Sequence, residues 1–184
     1  MRSAPRPCED RSSRLPFRRF RPRSSPLECC PVSPRLFYRT IAIAEAVTWT
    51  LLIGGMLLKY VADAGGTPLL IAGSLHGFVF ITYALTAVLV GLNQHWPIRL
   101  MVVAVITAIV PYATLPFDIR LDRTGRLDGD WRRVATDDPR DHTWVGRLLR
   151  WMLNRPVVLI SSFTVAVVAI MAVLLTLGPP GGRS

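Results

Sequence analysis

Charge and hydrophobicity are segregated along this 184-residue chain, and that segregation constrains its fold more than any single motif. Residues 1–39 hold 10 Arg and three acids, and residues 118–155 hold nine Arg and seven Asp. Elsewhere only Glu45, Lys59, Asp63, Arg99 and Arg183 carry charge. Four apolar runs, about 40–59, 68–91, 98–117 and 156–177, lie between and after the charged blocks. A helix rises about 1.5 Å per residue, so about 20 residues cross a hydrocarbon core of about 30 Å. A soluble chain this small cannot bury four such runs, which excludes a soluble enzyme domain and a wholly disordered basic protein. The expected fold is all-α, a polytopic helical membrane protein with four transmembrane helices.

The runs carry their own punctuation. Pro68 suits the first turn of the second helix. Pro111 denies the Thr107 carbonyl its usual partner, which predicts a kink or early end within the third run. The fourth run stops at Gly178-Pro179-Pro180-Gly181-Gly182, which cannot continue a helix. Tyr38, Tyr60, Trp96, Trp144 and Trp151 fall at or just beyond span ends, where amphipathic rings prefer to lie. From His142 to Asn154, Trp144, Leu148, Trp151 and Met152 share one helical face, with Arg147, Arg150 and Asn154 away from it. This predicts an interfacial amphipathic helix over 142–154 within a polar loop, 122–155; the competing reading packs that helix on protein.

The net charge of +10 sits mostly in residues 1–39. That segment is rich in Arg, Pro and Ser and is expected to be a disordered, topogenic tail. The run that follows is too long for a signal core and is closed by Lys59, so an uncleaved anchor is expected. Such a tail is drawn to anionic lipid, as is the interfacial helix, and no nucleic-acid partner is expected. The positive-inside rule places the N-terminus in the cytoplasm. With four spans, the 118–155 loop would then lie outside despite its nine Arg, with about 12 basic residues inside and 10 outside. Cys8, Cys29 and Cys30 have no disulfide or zinc spacing and are expected to be free thiols in a reducing compartment.

Few residues could carry chemistry. Glu45 lies inside the first span, where a carboxylate is costly and the neutral acid is favoured; it is either a proton- or ligand-binding group or a helix-tying one. His76 sits beside Gly73 and Gly77, a small-x-x-x-small pair that admits another helix closely, and is either a relay partner or a packed, hydrogen-bonded histidine. Direct contact between Glu45 and His76 needs tilt or a bridging water, because their depths differ by about 8–10 Å. Lys59 and Tyr60 close the first span; Lys59 is expected to snorkel, with anion binding as the lesser alternative. Spans one, three and four hold no histidine for haem, no zinc cluster or phosphate loop is present, and no cofactor is expected.

Residues 34–121 resemble the domain of unknown function 3817 family, the YdzA-like small integral membrane proteins of bacteria. The resemblance rests on Glu45 early in the first span, the close Met56-Leu57-Leu58-Lys59-Tyr60, Gly73, His76 and Gly77, and the aromatics Phe78, Phe80 and Tyr83. Pro111-Tyr112-Ala113-Thr114 followed by Asp118 completes it. Leu57 stands where the family has proline, and Ala113 where it has glycine. The resemblance implies a three-helix membrane unit over 40–121 to which this chain adds a C-terminal helix, followed by a short tail at 178–184; it implies no activity. The expected function is that of a non-enzymatic subunit working through helix contacts, as a homo-oligomer or within a larger membrane complex. The alternative is an oligomeric proton-coupled small-solute transporter or channel subunit using Glu45 and His76.

Overall fold

The computed structural model describes residues 32–177, so the expectations for residues 1–31, their three cysteines and the tail after residue 177 lie outside the described residues, whereas residues 34–39, expected as the end of the disordered tail, are helical instead and start the first helix. Helix α1, Pro34–Tyr60, begins where the Ser33 hydroxyl accepts the Leu36 N–H, with Pro34 in the first turn. With Leu57 in place of proline, α1 runs unbroken to Tyr60. Helix α2, Thr67–Asn93, returns antiparallel to it. Tyr38 pairs with Tyr83 near one end, and Thr48 pairs with His76 further along. At the other end Gly55 meets the α2 backbone: a Cβ there would stand 3.1 Å from Leu69 Cα.

The run expected as a third span, 98–117, is not one helix. Helix α3, Ile98–Thr107, spans only about 15 Å, half a hydrocarbon core. It ends at the Thr107 turn that Pro111 dictates. Residues 108–113 then reverse the chain, with Tyr112 at φ 62°, and α4, Thr114–Arg123, runs back along α1. Pro116 falls in the first turn of α4, where proline is tolerated. Ala113, in place of glycine, has an ordinary φ of −68°.

The reversal is fixed at both ends. At the apex, Trp49 Nε1 donates to the Ala108 carbonyl (3.2 Å), and the Tyr112 and Thr50 hydroxyls lie 3.2 Å apart. At the base, Trp96 Nε1, just before α3, donates to the Arg126 carbonyl just after α4 (2.8 Å). Helices α3 and α4 are therefore a re-entrant hairpin that leaves by the end it entered. Among the described residues three helices, α1, α2 and α6, are long and apolar enough to cross a membrane. The all-helical membrane class stands as expected, with this hairpin in place of the third crossing.

The consequence for the loop is a correction. Residues 124–143 lie at the end of the bundle where α1 starts and α2 stops: Trp131 Nε1 donates to the Val32 carbonyl (2.7 Å), and the Arg132 N–H to Asn93 Oδ1 (2.9 Å). Four full crossings would put this loop opposite the start of α1, a side that charge counting alone left open; here the two share one end of the bundle. His95 fastens the loop, its Nδ1 3.3 Å from Asp138 and its Nε2 3.2 Å from Asp141. Thr136 donates to Asp141 from both its hydroxyl and its N–H, which holds that buried carboxyl down to about 2.

Helix α5, Trp144–Leu153, starts at Thr143, whose hydroxyl accepts the Gly146 N–H. Trp144, Leu148 and Trp151 are exposed on the face expected for the lipid surface. Leu149 and Leu153 on the adjoining face are buried, and α5 packs on both α2 and α6. The helix is thus exposed on the face expected to meet lipid and protein-packed on the adjoining one, where the sequence reading set these as alternatives. Helix α6, Pro156–Leu177, packs on α2 and α5, and Val167 is its one buried residue.

Candidate functional site

A column of polar side chains rises through the packed core from the end where α1 begins. Its positions on α1 follow helical spacing: Tyr38, Ala42, Glu45 and Thr48 make one buried stripe facing α2 and α4. Arg35 and Arg39, one turn apart, meet Asp122 and Asp118, one turn apart on antiparallel α4. Arg35 lies 2.6 Å from Asp122, and Arg39 lies 3.0 Å from Asp118 and 3.4 Å from Asp122. Deeper, the Tyr38 and Tyr83 hydroxyls are 2.6 Å apart, and Thr107 closes the α3 side 3.4 Å from Tyr83.

Glu45 is fully buried. Thr114, the first residue of α4, donates its hydroxyl to Glu45 Oε2 at 2.9 Å. The other carboxyl oxygen, Oε1, is buried with no hydrogen-bond partner. A lone buried acceptor costs about 1–3 kcal/mol, so a group left this way is either tolerated for the α1–α4 link or kept to bind something.

His76 takes a different partner. The Thr48 hydroxyl lies 2.9 Å from the Glu45 carbonyl and 3.1 Å from His76 Nδ1, so it bridges the α1 backbone and the imidazole. Trp49 covers the imidazole at 4.5 Å between ring centroids. Glu45 and His76 therefore do not touch. The carboxyl points to α4 and the imidazole ties α2 to α1, with Thr48 linking His76 to the Glu45 backbone rather than to its side chain.

The other expected residues lie apart from the column. Lys59 is about 21 Å further along α1 than Glu45. Its ammonium lies 5.0 Å from the centroid of the Tyr60 ring. A Cβ at Gly73 would find only Leu52 Cδ1, at 3.8 Å, and one at Gly77 only Met171, also at 3.8 Å. Within the chain this pair makes ordinary contact; the close helix approach is at Gly55, which the sequence reading missed although Gly54-Gly55 interrupts an apolar run. Thr114, Asp118 and the tyrosine pair were likewise not singled out as site residues. The available signal was the matching four-residue spacing of Arg35 and Arg39 with Asp118 and Asp122.

The protein is similar over 88 residues, at 42% identity, to a Streptomyces coelicolor protein named "Putative membrane protein SCO5905". The match covers 47% of this chain and 10% of the relative, so the chain spans only a small part of the relative's length. No solved structure matches. The segment that builds the polar column and the hairpin, residues 36–123, matches the model of the family described as domain of unknown function, DUF3817.

Proposed function

We propose that this membrane protein is a non-enzymatic interaction module of the bacterial plasma membrane, whose α1–α2 pair receives a helix from a second copy or from a larger membrane protein. One observation carries this reading. The hairpin turns back at the level of Trp49 and Thr50, so neither α3 nor α4 covers the far half of α1, and Gly54 and Gly73, beyond the contact of α6 Met171 with Gly77, leave room for an approaching helix. Glu45 and His76 are then polar ties within the module, to α4 and to α1. The same segment forms about a tenth of a much longer bacterial membrane protein, which supports a part that works joined to others.

The hairpin also favours a single orientation. The nine Arg of 118–155 and Arg99 share the end at which residues 1–39, with 10 more, join α1. Lys59, at the end of α1, is left for the other side. The positive-inside rule then puts the start of α1 and the loop in the cytoplasm and the end of α6 outside. Gly73→Leu tests the interaction: it should dissociate the complex isolated from native membranes in mild detergent while the monomer keeps its melting temperature. An unchanged complex would contradict the reading.

A second reading rests on Glu45 Oε1, buried and unpartnered. As a protonatable group it would serve a proton-coupled transporter subunit. Glu45→Gln would then abolish pH-dependent flux in proteoliposomes; flux unaffected by the substitution would exclude the carboxyl from that role.

A further inference from the structure

We propose that the cavity between the α2–α3 corner and the start of α5 binds one anionic phospholipid, with its phosphate on Arg126 and Arg140 and an acyl chain in the adjoining groove between α2, α5 and α6. The cavity measures about 630 Å³. Arg126 and Arg140 are the charged side chains in its wall, and no carboxylate lines it. Among the described residues neither arginine is in an ion pair, and both are exposed.

The neighbouring polar groups are already engaged. Both nitrogens of His95 are taken by Asp138 and Asp141, on residues outside the lining. Arg150 is held at Asp141, donating to its carbonyl at 2.5 Å. Trp96 Nε1 is spent on the Arg126 carbonyl, which fixes that arginine's backbone at the α2–α3 corner. Arg140 is brought in by a close approach: a Cβ at Gly146 would lie 2.8 Å from the Arg140 carbonyl, so only glycine lets α5 begin this near. Two arginines whose backbones are held from separate segments, with no ion-pair partner among the described residues, suit a phosphate.

The remaining wall identifies the source of that phosphate. Leu92, Val145 and Leu149 line this cavity and also line a second one, of about 250 Å³, with Leu85, Phe163 and Ala166. From Leu92 to Leu85 the groove follows α2 about 10 Å into the bilayer. Exposed Trp144 and Trp151 on α5 mark headgroup depth. A phosphate above an apolar groove at that depth is the arrangement of a phospholipid, not of a soluble anion.

The test uses the full chain in nanodiscs of equal phosphatidylglycerol and phosphatidylcholine, with retained lipid counted by native mass spectrometry. Phosphatidylglycerol should be retained preferentially, and the R126Q/R140Q double variant should lower that preference about 25-fold, near fivefold for each arginine. Arg147→Gln, an exposed arginine of α5 outside the cavity, should leave it unchanged. Ala166→Phe, which fills the groove and spares both arginines, should also release the lipid. Equal retention of the two lipids, an equal loss with Arg147→Gln, or full displacement by inorganic phosphate would overturn the proposal. Melting temperatures in pure detergent verify that each variant is folded before lipid is counted.

Discussion

Arg39 and Asp118 are 79 residues apart in sequence and 3.0 Å apart in the structure, and this contact holds the returning arm of the hairpin against the start of α1. Asp118 is almost wholly buried while Arg39 is partly exposed, so the pair seals the column where it reaches the surface. An apolar segment that turns back inside a membrane needs such a clamp, since its broken backbone is tolerated only when covered by protein.

Asp118→Ala should therefore weaken the α1–α4 contact by roughly 1.5–3 kcal/mol, the range for a charge-assisted hydrogen bond. Arg39→Ala should cost a similar amount, and the double variant little more than either alone. Melting curves in detergent give the cycle; additive losses would show that the two residues act independently.

Glu45 and Thr114 form the next rung. Glu45→Gln retains an acceptor for the Thr114 hydroxyl and should change stability by less than about 1 kcal/mol, whereas Glu45→Leu leaves that hydroxyl only the longer contact to the Ala42 carbonyl (3.4 Å) and should cost about 1–3 kcal/mol. Thr114→Val in the Glu45→Leu background should recover part of the loss. Denaturant titration of the purified protein measures all three.

The glycines separate by backbone contact. Gly55→Ala puts a methyl 3.1 Å from the α2 backbone at Leu69, which cannot give way as a flexible side chain would, and should cost about 1–3 kcal/mol. Gly73→Ala meets only a leucine methyl at 3.8 Å and should leave the monomer as stable as before or slightly more so. Equal melting temperatures for the two variants would contradict this packing.

How much of this was legible in the sequence differs by element. The long apolar runs around Glu45, His76 and Val167 were plain, because hydropathy and length suffice to identify a crossing helix. Pro111 correctly marked an early helix end. What followed was hidden: a hydropathy window over 98–117 does not record direction, and Ile98–Phe117 reads the same whether the chain crosses or returns. The reversal depends on contacts distant in sequence, Trp49 with Ala108 and Arg39 with Asp118. The unequal roles of Gly55 and Gly73 were invisible for the same reason, since both sit in small-residue patterns and only the register of α1 on α2 distinguishes them.

The loop should be acid-sensitive in a defined window. Asp141 is held down to about 2, first by the Thr136 hydroxyl and then by the Thr136 N–H. A carboxyl depressed in the folded state contributes its full stabilisation above its unfolded value of about 3.9 and loses it as pH falls through the folded value. Protease nicking of 124–143 should therefore rise between about pH 4 and pH 2. Asp141→Asn should show raised nicking at neutral pH with no such step.

The re-entrant hairpin is tested most directly by the side on which Asp130 lies. Cysteines placed singly at Ser33, Asp130 and Gly65 in a cysteine-free protein can be labelled in intact cells with a membrane-impermeant maleimide. The structure predicts that positions 33 and 130 share one side and that position 65, between α1 and α2, lies on the other; in the proposed orientation the first two are protected until the cells are opened and position 65 labels from outside. Labelling of position 130 from outside together with position 65 would mean that residues 98–123 cross the membrane and would contradict the hairpin.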